Sequence, residues 1–366
     1  MPEKKLSCIE SFCGAGGMGL GLQSAGFDVN LAFDLNEDAI ETYKRGVDQR
    51  CMVADASKVS AEELLERADL RPGEVDVFTG GPPCQGFSKQ RRGAHIFDDP
   101  RNLLIKNYIQ FVKTSKAKAF VLENVAIFGQ KRGKVYLEEL ARELFEYRLF
   151  PHFYKCSEYG LAQSRERFIM VGIHKDFSRP FIIPKPSQKR KTVGETIGDL
   201  PEPPLDHSEH PDFANHQRAR VTSINIERFS HVPQGGGWQD IPYDLRLDCH
   251  KKANTKSGGW PDVYGRLEWD GLCPTITGGF DSFTRGRYGH PIYDRPLTPR
   301  EAARLQGFPD AVRFYGTRQE VRYQIGNAVP PPLAEVIGKE IANVLLKKKI
   351  ENESSNFNYY QEALAL

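Results

Sequence analysis

The chain has 366 residues, 39% hydrophobic and 27% charged, with a net charge of +2, the balance of a soluble globular protein large enough for one main domain and a smaller one. No stretch has the length or apolarity to span a bilayer, and the opening Met1-Pro2-Glu3-Lys4-Lys5 leads into too short an apolar run for a secretory signal. The seven cysteines are scattered, odd in number and without a CxxC pair, which favours free thiols in a reducing compartment such as the cytoplasm over a disulfide framework or a structural zinc site.

In chain order, Leu6 to Phe12 is expected as a first strand. It runs into Cys13-Gly14-Ala15-Gly16-Gly17 and then a helical stretch ending near Gly26. Strand, glycine turn and helix begin many nucleotide-cofactor folds, because the glycines admit a ligand to the backbone and the helix start offers free N–H groups. Alone the pattern is weak, since a tight turn without a ligand has the same spacing. Phe27 to Asp34 forms the next strand. Asp34 at its end can accept from ribose hydroxyls, or cap the helix that Asn36 begins. Asp55, after Cys51 to Ala54, can accept from an adenine amino group or cap the helix near Ala61 to Ala68. Acidic or polar residues at successive strand ends favour an adenosine-bearing cofactor.

Val75 to Phe78 is a buried-strand pattern. It is stopped by Gly80-Gly81-Pro82-Pro83-Cys84-Gln85-Gly86-Phe87-Ser88, in which glycines and prolines fix the backbone around one cysteine. Most intracellular cysteines are small buried hydrophobes. A rigid loop at the carboxyl end of a strand argues here for a nucleophile instead. Residues 89–100 are polar and aperiodic and suggest a lid. Asn102 to Lys113 has helical spacing, Ala119 to Leu122 is a short strand, and Glu123 follows it with Asn124 and Val125. Gly133 to Phe145 is amphipathic. Gln163-Ser164-Arg165-Glu166-Arg167 precedes the strand Phe168 to Ile173, and on extended backbone Arg165 and Arg167 share a face.

Composition changes near Pro184. From Lys189 to His290 the chain is rich in Gly, Pro, Arg and aromatics, as expected of a loop-rich second domain. His207, His210 and His216 read as solvated linker residues. Arg285, Arg287, Arg295, Arg300 and Arg304 form one basic cluster, and Lys185, Lys189, Arg190 and Lys191 another. Either could face phosphates or simply be a solvated surface. Helical patterns return at Pro299 and from Pro332 to Leu346, with Gln324 to Pro330 between them, and residues 351–366 form a frayed tail.

These motifs together resemble the DNA (cytosine-5)-methyltransferases of compact prokaryotic type. The shared blocks are FCGAGG at Phe12, GGPPCQGFS at Gly80, ENV at Glu123, QSRER at Gln163, LTPREAARLQGFP at Leu297 and GNAVPP at Gly326, in the family's order. Glu10-Ser11 stands where members often have Asp-Leu. The resemblance implies an α/β fold: a Rossmann-like, S-adenosylmethionine-dependent methyltransferase sheet with helices on both faces, plus a smaller loop-rich target-recognition domain. It implies a catalytic domain over residues 1–187, a recognition domain over 188–290, and a return to the catalytic domain over 291–350.

By the same resemblance Cys84 adds as thiolate to C6 of cytosine, which makes C5 electron-rich. Glu123 faces N3 and the 4-amino group, and would need burial to raise its pKa if it is to donate a proton near pH 7. Arg165 steadies the O2 edge. S-adenosylmethionine is expected against Phe12, Gly14, Gly16, Asp34 and Asp55, completed by Asn327 and Val329. The target base must be flipped out of duplex DNA. Ser88, Gln90, Arg91, Arg167 and Arg285 are candidate DNA contacts, although Arg167 suits a structural role better. Arg218, Arg220, Arg246 and Arg266 are further arginines available to the recognition domain. A monomer and a companion restriction endonuclease acting on the same site complete the expectation. Rivals are an RNA cytosine-5 methyltransferase, a catalytically silent DNA-binding homologue, and a nucleotide-dependent oxidoreductase, which would leave Cys84 and Glu123 unexplained.

Overall fold

The computed structural model describes residues 5–83, 103–130, 133–187, 189–252 and 261–346. Cys84, Ser88, Gln90, Arg91, the segment 89–100 and the tail 351–366 lie outside the described residues. By contacts the chain divides into two units. One comprises Met1–Lys155, Glu166–Pro186 and Pro331–Leu366; the other comprises Cys156–Arg165 and Ser187–Pro330. The expected return to the first unit at about residue 291 thus falls at Pro331 in this division.

The first unit is a seven-stranded sheet with helices. Its strands are β1 Leu6–Ser11, β2 Phe27–Asp34, β3 Cys51–Val53, β4 Val77–Gly80, β5 Ala119–Val125, β6 Tyr147–Lys155 and β7 Glu166–His174. Its helices are α1 Gly17–Ser24, α2 Glu37–Gly46, α3 Ala61–Arg67, α4 Leu103–Ser115 and α5 Lys134–Glu143. The strand order is β3-β2-β1-β4-β5-β7-β6. The first five strands in that order are parallel, and β7 runs antiparallel to both β5 and β6. The order reverses between β1 and β4, so the glycine turn and the Gly80 loop leave neighbouring strands at the switch point, where open α/β sheets bind ligands.

The sheet is held by alternation on its strands. Ile9, Phe33, Phe78, Phe120 and Met170 pack with Tyr108, Phe111 and Leu140 from α4 and α5 in one core. Tyr108 meets Phe78 and Phe120 edge-on, with centroids 5.9 and 6.4 Å away. Each such fully buried ring contributes on the order of 2 kcal/mol.

Three strands differ from expectation. β4 begins two residues late and includes Gly80, so it stops one glycine later than expected, at Gly81. β5 runs through Val125, because the antiparallel partner β7 keeps pairing with it: Glu123 opposes Ile169 and Val125 opposes Arg167. Glu123 therefore sits inside a strand, not after one. β6 carries no clean alternation in sequence and was not expected.

The second unit carries only short helices among its described residues: α6 Val193–Ile197, α7 Ser223–Ser230, α8 Asp248–Lys251, α9 Pro299–Leu305 and α10 Arg318–Asn327, with brief 3-10 turns. Helix α11, Pro331–Leu346, belongs to the first unit and packs on α1. Among the described residues no helix is long and apolar enough to cross a membrane.

Within the second unit Phe229, Val232, Trp238, Ile241, Tyr264 and Phe283 form a core of their own. His216, expected as solvated linker, is fully buried. Its Nδ1 meets Thr298 Oγ1 at 2.9 Å and its Nε2 meets the carbonyl of Pro201 at 2.7 Å. Of the five clustered arginines, Arg295 and Arg300 are also buried, and Arg304 pairs with Asp199 and Asp310. Lys185, Lys189, Arg190 and Lys191 are exposed.

Candidate active site

The glycine turn begins with a residue that would not be chosen for comfort. Phe12 has φ 53, in the left-handed region. A non-glycine residue there costs on the order of 1 kcal/mol or more, and such outliers concentrate at ligand sites. Its ring lies 6.3 Å from that of Phe33. The Cys13 amide then bonds the Phe33 carbonyl at 3.1 Å, tying the turn to the end of β2. Gly14, at φ 51, has no atom within 4 Å of where a Cβ would stand. Gly16, at φ 87, is crowded instead: a Cβ would lie 2.4 Å from Val47 and 2.8 Å from the Tyr43 ring.

Asp34 faces this turn. Its Oδ2 accepts from the Gly14 amide at 2.9 Å and its Oδ1 from the Asn36 amide at 2.9 Å. Burial pushes its pKa up, against the pull of those amides. It is not the helix cap: Asn36 fills that place, accepting from Ala39 N at 2.8 Å. Asp55 does not cap its helix either, since Ser60 does. Asp55 accepts from the Ser57 hydroxyl at 2.7 Å and amide at 2.9 Å, which lowers its pKa, and it meets Lys58 at 3.2 Å. An open glycine beside an oriented, half-buried carboxylate suits a ligand with a backbone-hugging polar end and a diol. A sulfonium amino acid joined to a ribose is of that kind.

At the next strand ends, Glu123 is 8% exposed and its Oε1 lies 2.8 Å from Nε of Arg167. The guanidinium gives the buried carboxylate a partner charge. Arg167 also donates to the Glu166 carbonyl at 2.8 Å and is itself 9% exposed, so it faces inward. A Cβ on Gly81 would stand 2.9 Å from Glu123 Oε2. The neighbouring Asn124 donates through Nδ2 to the Pro82 carbonyl at 3.1 Å. Glu123 thus lies against Gly81 and Asn124 holds Pro82, just before Pro83, the last described residue before Cys84.

In the second unit, three of the sequence blocks meet at their backbones. Arg165 is fully buried; its Nη1 donates to the carbonyls of Ile276 and Gly326, both at 3.0 Å, and its Nη2 to that of Ala328 at 3.1 Å. Gln163 bonds the Leu305 carbonyl at 3.1 Å, the Gln306 side chain at 2.8 Å and the Ile276 amide at 2.9 Å. Helix α9 is fixed by a capping box of Thr298 and Glu301. Glu301 also takes Arg295 at 2.7 and 2.9 Å. Asn327 ends α10 and is exposed, and Val329 follows in the turn, half-buried.

The arrangement of these blocks has counterparts in known proteins. Residues 6–343 match the family model of the C-5 cytosine-specific DNA methylases. The chain belongs to that family. It is 34% identical to the type II methyltransferase M1.HphI of Haemophilus parahaemolyticus over 92% of this chain and 86% of the relative. To the type II methyltransferase M.BbvI of Brevibacillus brevis it is 32% identical, over 96% and 94%. Among solved structures, a prophage-encoded DNA modification methyltransferase (E. coli) superposes with TM-score 0.70 and 27% identity, covering 93% of this chain and 100% of the other. The S. pombe Dnmt2 methyltransferase shares the fold, with TM-score 0.60 and 17% identity. The type II methyltransferase relatives and the family match make the chain a cytosine-5 DNA methyltransferase.

The family frame also shows where sequence reasoning erred. Arg266, expected to be available to DNA, is 5% exposed and donates to the carbonyls of Val232, Phe229 and His290 at 2.6, 3.1 and 3.1 Å. Arg246 donates to Ile241 at 2.7 Å and Arg218 to Pro203 at 2.9 Å. Arg220 and Arg285 remain exposed. Glu10, noted in the sequence only as a departure from the family motif, is 2% exposed in β1, before the glycine turn. Its signal was an acidic side chain in the otherwise apolar inward register of β1, with Leu6 and Cys8.

Proposed function

We propose that this enzyme methylates C5 of a cytosine flipped out of a specific duplex DNA sequence, through a covalent bond between Cys84 and C6. The observation that carries the reading is the placement of Glu123 against Gly81 and of Asn124 on Pro82, which starts the nucleophile's loop beside a buried carboxylic side chain. Cys84 as thiolate adds to C6; the electron pair displaced from the 5,6 double bond makes C5 nucleophilic, and the charge spreading to N3 and O2 is met by Glu123. S-adenosylmethionine, when bound, supplies the methyl group on a positively charged sulfur. A base then takes the C5 proton, the 5,6 double bond re-forms, and Cys84 leaves as thiolate.

Phe12, Gly14, Gly16 and Asp34 would hold the donor, with Asp55 toward the adenine and Asn327 and Val329 completing the site. Arg165 enters the reading as the residue that fixes the carbonyls of Ile276, Gly326 and Ala328. Arg285 and Arg220 are the exposed arginines proposed to meet DNA, with Ser88, Gln90 and Arg91 from the nucleophile loop. The type II names of the relatives support a companion restriction nuclease and a prokaryotic cytoplasm.

The test is a duplex carrying 5-fluorocytosine at the target. Fluorine cannot leave as a cation, so the wild type should form a denaturation-resistant adduct. Cys84→Ala should form none and transfer no methyl while still binding the donor. Adduct formation by Cys84→Ala, or full turnover in it, would refute the nucleophile.

A further inference from the structure

Below the glycine turn, Glu10 and Tyr43 form a buried pair that the reaction scheme does not use. The Tyr43 hydroxyl donates to Glu10 Oε2 at 2.7 Å, and both side chains are essentially without solvent exposure. The carboxyl also accepts a backbone hydrogen bond from Gly19, in the first turn of α1. That turn needs an outside acceptor. Its N-cap is Gly16, which has no side chain, and no acidic residue lies in its first turn. Glu10 reaches over from β1 to do what a serine or aspartate N-cap does elsewhere.

Tyr43 touches both ends of this arrangement. Its ring edge would be 2.8 Å from a Cβ on Gly16, and its hydroxyl 2.5 Å from a Cβ on Gly19, where Glu10 Oε2 is equally close. The three groups leave no slack, so a shift of the Tyr43 ring is a shift of Gly16 or of the carboxyl.

We propose that Tyr43 and Glu10 are a positioning pair for the methyl donor: Tyr43 fixes the Glu10 carboxyl, and Glu10 fixes the Gly19 amide in the first turn of α1, behind the glycine turn. The inference rests on the reading of that turn as the donor site. It also gives the site a proton to lose. Burial raises the Glu10 pKa to about 8, against the bonds from Tyr43 and Gly19 and with a further push from Asp34. The titratable groups facing Glu10 are Tyr43 from α2, Asp34 at the end of β2, and the thiols of Cys8 and Cys13. The two thiols and the phenol are pushed well up by burial, so it is Glu10 and not these three that changes charge near pH 8. Its ionisation sets a negative charge beneath the glycine turn, and the donor carries a positive sulfur that the spent product lacks.

The test is equilibrium dialysis of labelled S-adenosylmethionine and S-adenosylhomocysteine against the full chain, from pH 6 to pH 9, for wild type, Tyr43→Phe and Glu10→Gln. Tyr43→Phe keeps the ring and loses the hydroxyl; it should bind both ligands roughly tenfold more weakly at pH 7. It should raise KM for the donor with kcat little changed. In the wild type the preference for the methylated over the spent ligand should rise through about pH 8; in Glu10→Gln it should stay flat. Circular dichroism confirms that each variant is folded. Wild-type affinity in Tyr43→Phe, or the same pH response in Glu10→Gln, overturns the inference while leaving the donor site standing. No donor binding by the wild type overturns the donor site, and the inference with it.

Discussion

At the scale of single residues, a few charged side chains are buried and paired with one another or with backbone carbonyls. Glu123 and Arg167 pair at 2.8 Å with side chains 10% and 11% exposed. Removing one partner of a buried pair leaves the other uncompensated and typically costs about 3–5 kcal/mol. Arg167→Ala should therefore lower the thermal midpoint by several degrees and also reduce methyl transfer, because Glu123 loses the contact that orients it. Arg167→Lys keeps the charge but cannot span Glu123 and the Glu166 carbonyl together, and should fall between. Melting curves and single-turnover methyl transfer on the same samples check this. Normal stability and turnover in Arg167→Ala would place the residue outside the site. Such pairs were half legible in the sequence. Two arginines separated by one residue announced a shared face, but nothing local announced that Arg165 would spend its donors on carbonyls more than a hundred residues away. Glu10 was hidden for a similar reason, since its partner Tyr43 lies on another element.

At the scale of elements, legibility followed burial. The strands β1, β2 and β4 around the switch point alternate buried apolar residues and were read to within a residue or two. β6 mixes Arg148, Pro151 and His152 into its run and was not read at all. Helix α9 shows how a motif can be mainly architecture. Thr298 caps it, Pro299 opens it, and Glu301 both closes the capping box and holds Arg295. Burial alone would raise the Glu301 pKa, but the charge and hydrogen bonds of Arg295, with His290 and His216, hold it down at about 2. Burial lowers His290 to about 4. Both shifts act in one direction. In the unfolded chain the carboxyl takes a proton near pH 4.5 and the imidazole near pH 6.5; the folded chain resists both. The stability they contribute is complete above about pH 6.5 and is lost as pH falls toward 2. Glu301→Gln should accordingly destabilise the second unit by about 3 kcal/mol at pH 7 and by progressively less below pH 4.5. All three tryptophans, Trp238, Trp260 and Trp269, fall in the residue range of that unit, so their fluorescence during urea unfolding reports it selectively. A penalty that did not shrink with acid would show that Glu301 acts by shape and not by charge.

At the scale of the whole molecule, two kinds of order share one chain. The first unit is a sheet whose β1 and β4 lead into the glycine turn and the Gly80 loop, and the blocks at Phe12, Gly80 and Glu123 made it legible in advance, while the blocks at Gln163, Leu297 and Gly326 fall largely in the second unit. The second unit has no such regularity, and its sequence disclosed little beyond those blocks and a change of composition. What it does have is a private core: Phe229, Val232, Trp238, Ile241, Tyr264 and Phe283 pack on one another, with Phe229 and Phe283 stacked at 4.2 Å. The arginine of that core, Arg266, lies 4.1 Å over the Phe229 ring and ties the surrounding carbonyls together. A segment with its own core can be moved with its core. Exchange of residues 221–285 for the corresponding segment of M.BbvI should therefore yield a folded enzyme that still methylates cytosine, now in the relative's sequence context, because the donor turn, Glu123 and Cys84 all lie outside the exchange. Conversion sequencing of DNA from a host expressing the hybrid reads the outcome directly. Methylation at the original sites would show that specificity resides outside residues 221–285. The surfaces to examine next would then be the nucleophile loop, or the exposed end of α10 that carries Tyr323 and Asn327.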